Sequence, residues 1–214
     1  MYTIIDNFLP ISIQNMIEYH YQYKTRWNYS SFTSGDYGSE CDEKDKCIKD
    51  GPQLLNVSHH EDGNLVDHDT FGLTRLVLYF LEHASGCTVD DIFRIKTNMN
   101  LKDESFKGKY HPPHADSADP EHLTLLYTVK DSDGPTRLFN KSIIDPMPLN
   151  DLVEIVQHHP KKGRAILFPS NVMHSGTCPI EHENRISINY IFKATNLKIH
   201  FQPLNNLTVT HYEV

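Results

Sequence analysis

Between residues 92 and 192 the chain breaks into short stretches of β texture separated by turn residues, and this constrains the fold more than any other feature. Residues 93–101 alternate apolar and polar side chains. Residues 122–129 are rich in Leu, Thr, Tyr and Val, and Asp131-Ser132-Asp133-Gly134 marks a turn ahead of residues 136–139. Residues 152–156, 164–168, 172–174 and 185–192 continue the series. Many short strands at close spacing bury their apolar faces by forming a sandwich or a barrel.

The first third of the chain has a different texture. The spacing predicts a helix over residues 12–23, with Ile13, Met16, Ile17 and His20 on one face. A second helix is expected over 69–83, with Phe71, Leu73, Leu76, Val77 and Phe80 as its stripe and Ser85-Gly86 as its end. Residues 30–64 read as surface loops with one short strand at 54–57. No repeat, low-complexity tract or linker divides the chain, so residues 1–214 are expected to form one domain with its β core at about 92–193. The expected class is mainly β, with the two N-terminal helices packed on one sheet.

Composition excludes some partners. With 20 Lys+Arg against 28 Asp+Glu the net charge is -8, which argues against a broad nucleic-acid or anionic-membrane surface. No apolar run approaches the roughly 20 residues that span a bilayer. The N-terminus has no basic segment followed by an apolar one, as a signal peptide would. Cys41, Cys47, Cys87 and Cys178 form no Cys-x-x-Cys pair, and the spacing of the first two misses that of a zinc site. Reduced thiols in a cytoplasm are the expectation.

The chemistry concentrates in His114-Ala115-Asp116, then His174, then Arg185. Two imidazoles and a carboxylate occupy one face of an octahedral metal and leave positions open, which suits non-haem Fe(II). On a strand, positions i and i+2 point the same way, so His114 and Asp116 can reach one ion. Arg185 offers a fixed cation for a carboxylate of an organic co-substrate. His111 is a rival ligand but lacks an aspartate two residues on. His158 and His159 read as a solvated turn, and His182 lies in a charged loop. Trp27 reads as a core aromatic, and residues 40–46 as a loop with a lid as the alternative.

The order His114-x-Asp116, the strand from Gly163 through Phe168-Pro169 to His174, and Arg185 beyond it resembles the Fe(II)/2-oxoglutarate-dependent dioxygenases, and within them the prolyl-4-hydroxylase-like group. Leu125-Leu126-Tyr127 and Gly134-Pro135-Thr136-Arg137-Leu138-Phe139 resemble that group's tyrosine strand and its Gly-Gly-x-Thr-x-Phe turn, with proline in place of the second glycine. The overall pattern is similar to short oxygenases of marine bacteriophages. The resemblance implies a double-stranded β-helix, or jelly-roll, with His114, Asp116 and His174 as metal ligands at its open end. It implies Fe(II), 2-oxoglutarate and O2 as cofactor and co-substrates. Arg185 and Ser187 would meet the distal carboxylate of 2-oxoglutarate, Tyr127 would donate to it, and Asn98 would contact the same molecule. An aspartate at 116, rather than the small residue of related halogenases, implies hydroxylation. The expected substrate is a prolyl or other peptide residue, or a small molecule. The competing classes are a non-catalytic cupin-like metal-binding protein and a phage structural or interaction protein on a jelly-roll scaffold. The intact triad with Arg185 argues against both.

Overall fold

The computed structural model describes residues 2–33, 50–144 and 152–198, with the backbone of 211–212. The expected lid at 40–46 and Cys41 and Cys47 lie outside the described residues.

The elements run β1 (Thr3–Ile5), α1 (Ile11–Tyr23), β2 (Asn28–Ser30), β3 (Gln53–His59), α2 (His68–Ser85) and β4 (Thr88–Leu101). There follow β5 (Leu123–Thr128), β6 (Thr136–Ser142), β7 (Glu154–His158), β8 (Ala165–Pro169), β9 (Val172–Ser175), β10 (Asn184–Thr195) and β11 (His211–Tyr212). Eight strands form one sheet in the order β11-β1-β8-β5-β10-β4-β3-β2, and three form a second in the order β7-β6-β9. The long antiparallel pairing of β10 with β4 runs through the middle of the larger sheet. This is the expected jelly-roll of two sheets.

Each face of the larger sheet has its own core. On the outer face Ile95, Leu125, Ile186, Ile188 and Tyr190 pack with Ile17 and Tyr21 of α1 and Val77, Leu78 and Leu81 of α2. On the inner face Ile4, Leu126, Ile166 and Phe168 meet Leu138, Val156 and Val172 near the smaller sheet. Alternation along each strand divides its residues between these two layers. Both layers are tied by polar bonds where hydroxyls enter them. Thr97 donates to the Tyr21 hydroxyl at 2.7 Å, and Tyr190 donates to the Thr74 carbonyl at 3.0 Å. Arg164, beside β8, forks onto Asp6 at 2.6 and 3.1 Å and pins the end of β1.

The helices form where expected, but their buried stripes are rotated. In α1 the buried residues are Gln14, Ile17 and Tyr21, while Met16 is exposed. In α2 Thr70 and Thr74 are buried beside Val77, Leu78 and Leu81, and Phe71, Leu73 and Phe80 sit at the margin. Thr74 enters the core at low cost because its hydroxyl donates to the Thr70 carbonyl at 3.0 Å. Asp67 caps this helix by accepting from the Thr70 amide, and Gly86, at φ 68°, ends it in the left-handed region. Trp27 packs against the outer core, as read.

His158 departs from expectation. It is the last residue of β7, is 1% exposed, and faces Thr128 at 3.4 Å. Burial, reinforced by Arg164 and Arg185, pulls its pKa from 6.5 down to about 3. The folded chain therefore resists the proton that the unfolded chain accepts, so stability is full above pH 6.5 and falls as acid is added, until about pH 3. We expect urea melts to show wild type losing stability relative to His158→Gln by about 1.4 kcal/mol per pH unit in this window. Parallel stability curves for the two proteins would contradict the burial of a neutral imidazole.

Candidate metal centre

The segment carrying His114 and Asp116 is extended but belongs to none of the strands. It runs antiparallel to β9 and the turn before it. The His114 amide donates to the His174 carbonyl at 2.9 Å, and the His174 amide returns a bond to His114 at 2.8 Å. The Asp116 amide donates to Ser170 at 2.9 Å. This paired backbone sets the two imidazoles side by side, with ring centroids 4.6 Å apart. Each ring directs Nδ1 at a main-chain carbonyl two residues back, His114 to Pro112 at 3.2 Å and His174 to Val172 at 3.0 Å. A carbonyl only accepts, so Nδ1 carries the proton and Nε2 keeps its lone pair for a metal.

Asp116 completes the set. One ligand atom from each of His114, Asp116 and His174 lies within 4.8 Å of the others, and His174 Nε2 is 3.5 Å from Asp116 Oδ2. Oδ2 accepts from Thr124 and from Asn189, each at 2.9 Å, and Oδ1 faces Arg94 at 3.3 Å. Burial alone would raise this carboxyl, but His174, Arg94, His114 and the Asn189 amide together hold it well below the usual carboxylate range. Burial, and then His174, lower His114 to about 3. A carboxylate oxygen beside two imidazole nitrogens is a ligand set that suits a divalent ion with open positions.

Arg185, 5% exposed, stands at the far end of the same pocket. It donates to Asn100 at 3.2 Å and to Thr136, while its Nε has no partner. Burial lowers its guanidinium to about 10, and no carboxylate pairs with it among the described residues. Gly176 leaves room for it, since a Cβ there would sit 3.3 Å from its Nη1. Ser187 and Asn98, paired across β10 and β4, also line the pocket, and Asn98 Oδ1 is buried without a partner.

Tyr127 is the correction. Its cross-strand neighbour is Ile188, and both belong to the outer core beneath the helices. Its hydroxyl is buried there, and burial pushes it above the usual phenol range. On β5 it is Thr124 and Leu126 that reach the site. His111 lines the pocket but stands outside the triad, bonded to Cys178 at 3.4 Å and tilted against the ring of Phe106. Asn100, Thr124, Thr136, Asn189, Arg94 and Lys96 reach the site without having been singled out. For Arg94, Lys96, Asn100 and Asn189 the signal was the polar residue at every second position of β4 and β10, whereas Thr124 and Thr136 come from β5 and β6.

A cleft opens beside His114 and Asp116, walled by Phe32, Leu55, Phe93 and Ile143 and carrying Glu61, Arg94 and Lys96. A bulge shapes it. Ile191 pairs with Arg94 and Phe192 with Ile92, so Phe93 is an extra residue and joins Arg94 on the cleft side. Burial, and then Arg94, lower the Lys96 ammonium to about 8.

No family model matches the sequence, and no curated protein matches it either. Solved structures do. A prolyl-4-hydroxylase of Pseudomonas putida aligns with 90% of this chain and 92% of its own, at 14% identity and TM-score 0.51. A Trichoplax adhaerens prolyl hydroxylase, solved with a peptide fragment of the hypoxia inducible factor oxygen degradation domain, covers 90% and 83% at 15% identity and TM-score 0.51. The α-ketoglutarate-dependent carbocyclase SnoK of nogalamycin biosynthesis covers 91% and 81% at 10% identity and TM-score 0.57. The fold is that of the 2-oxoglutarate oxygenases.

The centre makes a direct prediction. Mn(II) or Fe(II) should raise the melting temperature of wild type, because an ion that binds only the folded state stabilises it. His174→Ala should lose that gain, and His111→Gln should keep it. A metal-dependent gain that survives His174→Ala and disappears in His111→Gln would replace the triad with a different ligand set.

Proposed function

We propose that this chain is an Fe(II)- and 2-oxoglutarate-dependent oxygenase that hydroxylates a C–H bond, with His114, Asp116 and His174 holding the metal. The observation that carries the proposal is Arg185. A buried guanidinium without a carboxylate partner is costly, and here it lies in one pocket with the triad. A diacid chelating the metal at one end would place its other carboxylate against that cation. The Cα atoms of Arg185 and Asn189 are separated by roughly 13 Å of strand. Two side chains and a five-carbon diacid fill such a span.

Fe(II) with 2-oxoglutarate and O2 supplies the oxidation: the co-substrate leaves as succinate and CO2, and the second oxygen atom enters the substrate as a hydroxyl. The protein's own part is placement. Asn100 and Thr136 accept from the two ends of the Arg185 fork and orient the rest of it toward the co-substrate. Ser187 and Asn98 lie along the path between Arg185 and the triad and supply hydrogen-bonding groups to it. Thr124 and Asn189 fix Asp116 so that one oxygen faces the imidazoles. Asp116 occupies the position that a halide would need, which favours hydroxylation over halogenation.

The substrate reaches the metal through the cleft of Phe93 and Arg94 and is a prolyl or other peptide residue, or a small molecule. No described helix is long and apolar enough to cross a membrane. We read the whole chain as one oxygenase unit acting in the cytoplasm, in a host cell if the chain is phage-encoded. A cupin-like metal protein without turnover would leave Arg185 unexplained.

Four measurements test the proposal. Anaerobic protein with Fe(II) and 2-oxoglutarate should develop the weak visible charge-transfer band of the chelate. Arg185→Gln should then weaken 2-oxoglutarate, since truncating a buried charge pair costs about 2–5 kcal/mol, a loss of roughly 30-fold or more in affinity. Metal affinity should stay near wild type, and an unchanged co-substrate affinity would remove Arg185 from the site. In aerobic chloride buffer the wild type should give no chlorinated product by mass spectrometry, and Asp116→Ala should abolish oxygenation.

A further inference from the structure

We propose that the substrate is an anion that presents a carboxylate to Lys96. This rests on the oxygenase reading above and names the substrate class of the same site. Lys96 lines both the pocket of the triad and the open cleft beside it. Its partner across the sheet is Asn189, the residue that holds Asp116, so Lys96 stands level with the metal ligands. Its ammonium makes no hydrogen bond and no ion pair among the described residues.

The acids around it are engaged elsewhere. Glu61 pairs with Arg94 at 2.9 Å. Asp116 is taken by Arg94, Asn189 and Thr124. Asp50 accepts from the amide of Thr33 at 3.0 Å. Arg94 is thereby paired with two acids, whereas Lys96 pairs with none among the described residues.

Charge balance points the same way. The described charged groups lining the two cavities are Arg94, Lys96 and Arg185 against Glu61 and Asp116. A divalent ion and the dianion of 2-oxoglutarate cancel each other. Among the groups that line the cavities one positive charge remains, and Asp50, outside them, is held by the amides of Thr33 and Gly51. A half-buried charge left without a counter-ion is unfavourable, and a single carboxylate neutralises it. Leu55 and Phe93 provide apolar wall beside it. The matching occupant is an apolar body bearing one carboxylate, with a C–H bond turned toward the metal.

The test uses hydrocinnamate and its neutral amide as probes of the whole protein. Each is titrated into the anaerobic complex with Fe(II) and 2-oxoglutarate, followed by the visible band and, independently, by calorimetry. The acid should bind at least about tenfold more tightly than the amide, because it alone forms the shielded ion pair. Lys96→Met keeps the length of the side chain and should erase that preference, while Lys96→Arg should retain it. The proposal is overturned if acid and amide behave alike in wild type, whether both bind or neither does. It is also overturned if Lys96→Met keeps the preference, or if that variant alone loses the chelate band, which would assign Lys96 to the co-substrate. Absence of the band in wild type would sink the oxygenase reading instead, and calorimetry with Mn(II)-loaded protein would still report whether Lys96 selects the acid.

Discussion

The site depends on a reciprocal pair of backbone hydrogen bonds between His114 and His174. These residues lie far apart in sequence, on a connecting segment and on a strand of the smaller sheet. Main-chain bonds in both directions fix their separation without using either side chain. The imidazoles are then free to spend Nδ1 on a local carbonyl and Nε2 on a ligand. Asp116 follows two residues later on the same segment, and β5 and β10 reach across to hold it. The candidate metal centre is thus assembled where two layers of the jelly-roll are stitched together.

The inner face of the larger sheet is polar to an unusual degree for a sandwich interior. Asn98, Asn100, Arg185, Ser187 and Asn189 form facing rows on β4 and β10. Several of their atoms lack partners, among them Asn98 Oδ1, Asn189 Oδ1 and Arg185 Nε. Such groups are costly in an apolar layer. They are intelligible as a surface built for a polar occupant, with the larger of the two apolar cores on the outer face beneath the helices.

Much of this was legible in the sequence because alternation and turn residues survive folding. The strands from 93 onward and both helices appear within a few residues of their expected places, since tertiary packing did not have to override local preference. What the sequence concealed was phase. Every residue of β5 from Thr124 to Thr128 is buried, so apolar pattern could not say which face Tyr127 takes. The register with Ile188 decides it. Arg94, Lys96 and Asn100 carried no sign of their face beyond alternation, because a polar row reads the same whether it faces water or a ligand. His158 was hidden by the neighbouring His159 and Pro160, which read as a turn although the strand extends through it.

The bulge at Phe93, followed by a second at Asp90, separates the inner stretch of β4 from its outer end. Inward of it, the pairing with β10 keeps Lys96, Asn98 and Asn100 opposite Asn189, Ser187 and Arg185. Outward of it, the alternation is reset, so residues there change face without disturbing that register. Insertion or deletion at the outer end of this one strand can therefore reshape the mouth of the cleft while the inner rows keep their register. The extra residue works as a joint between an inherited interior and an adaptable rim.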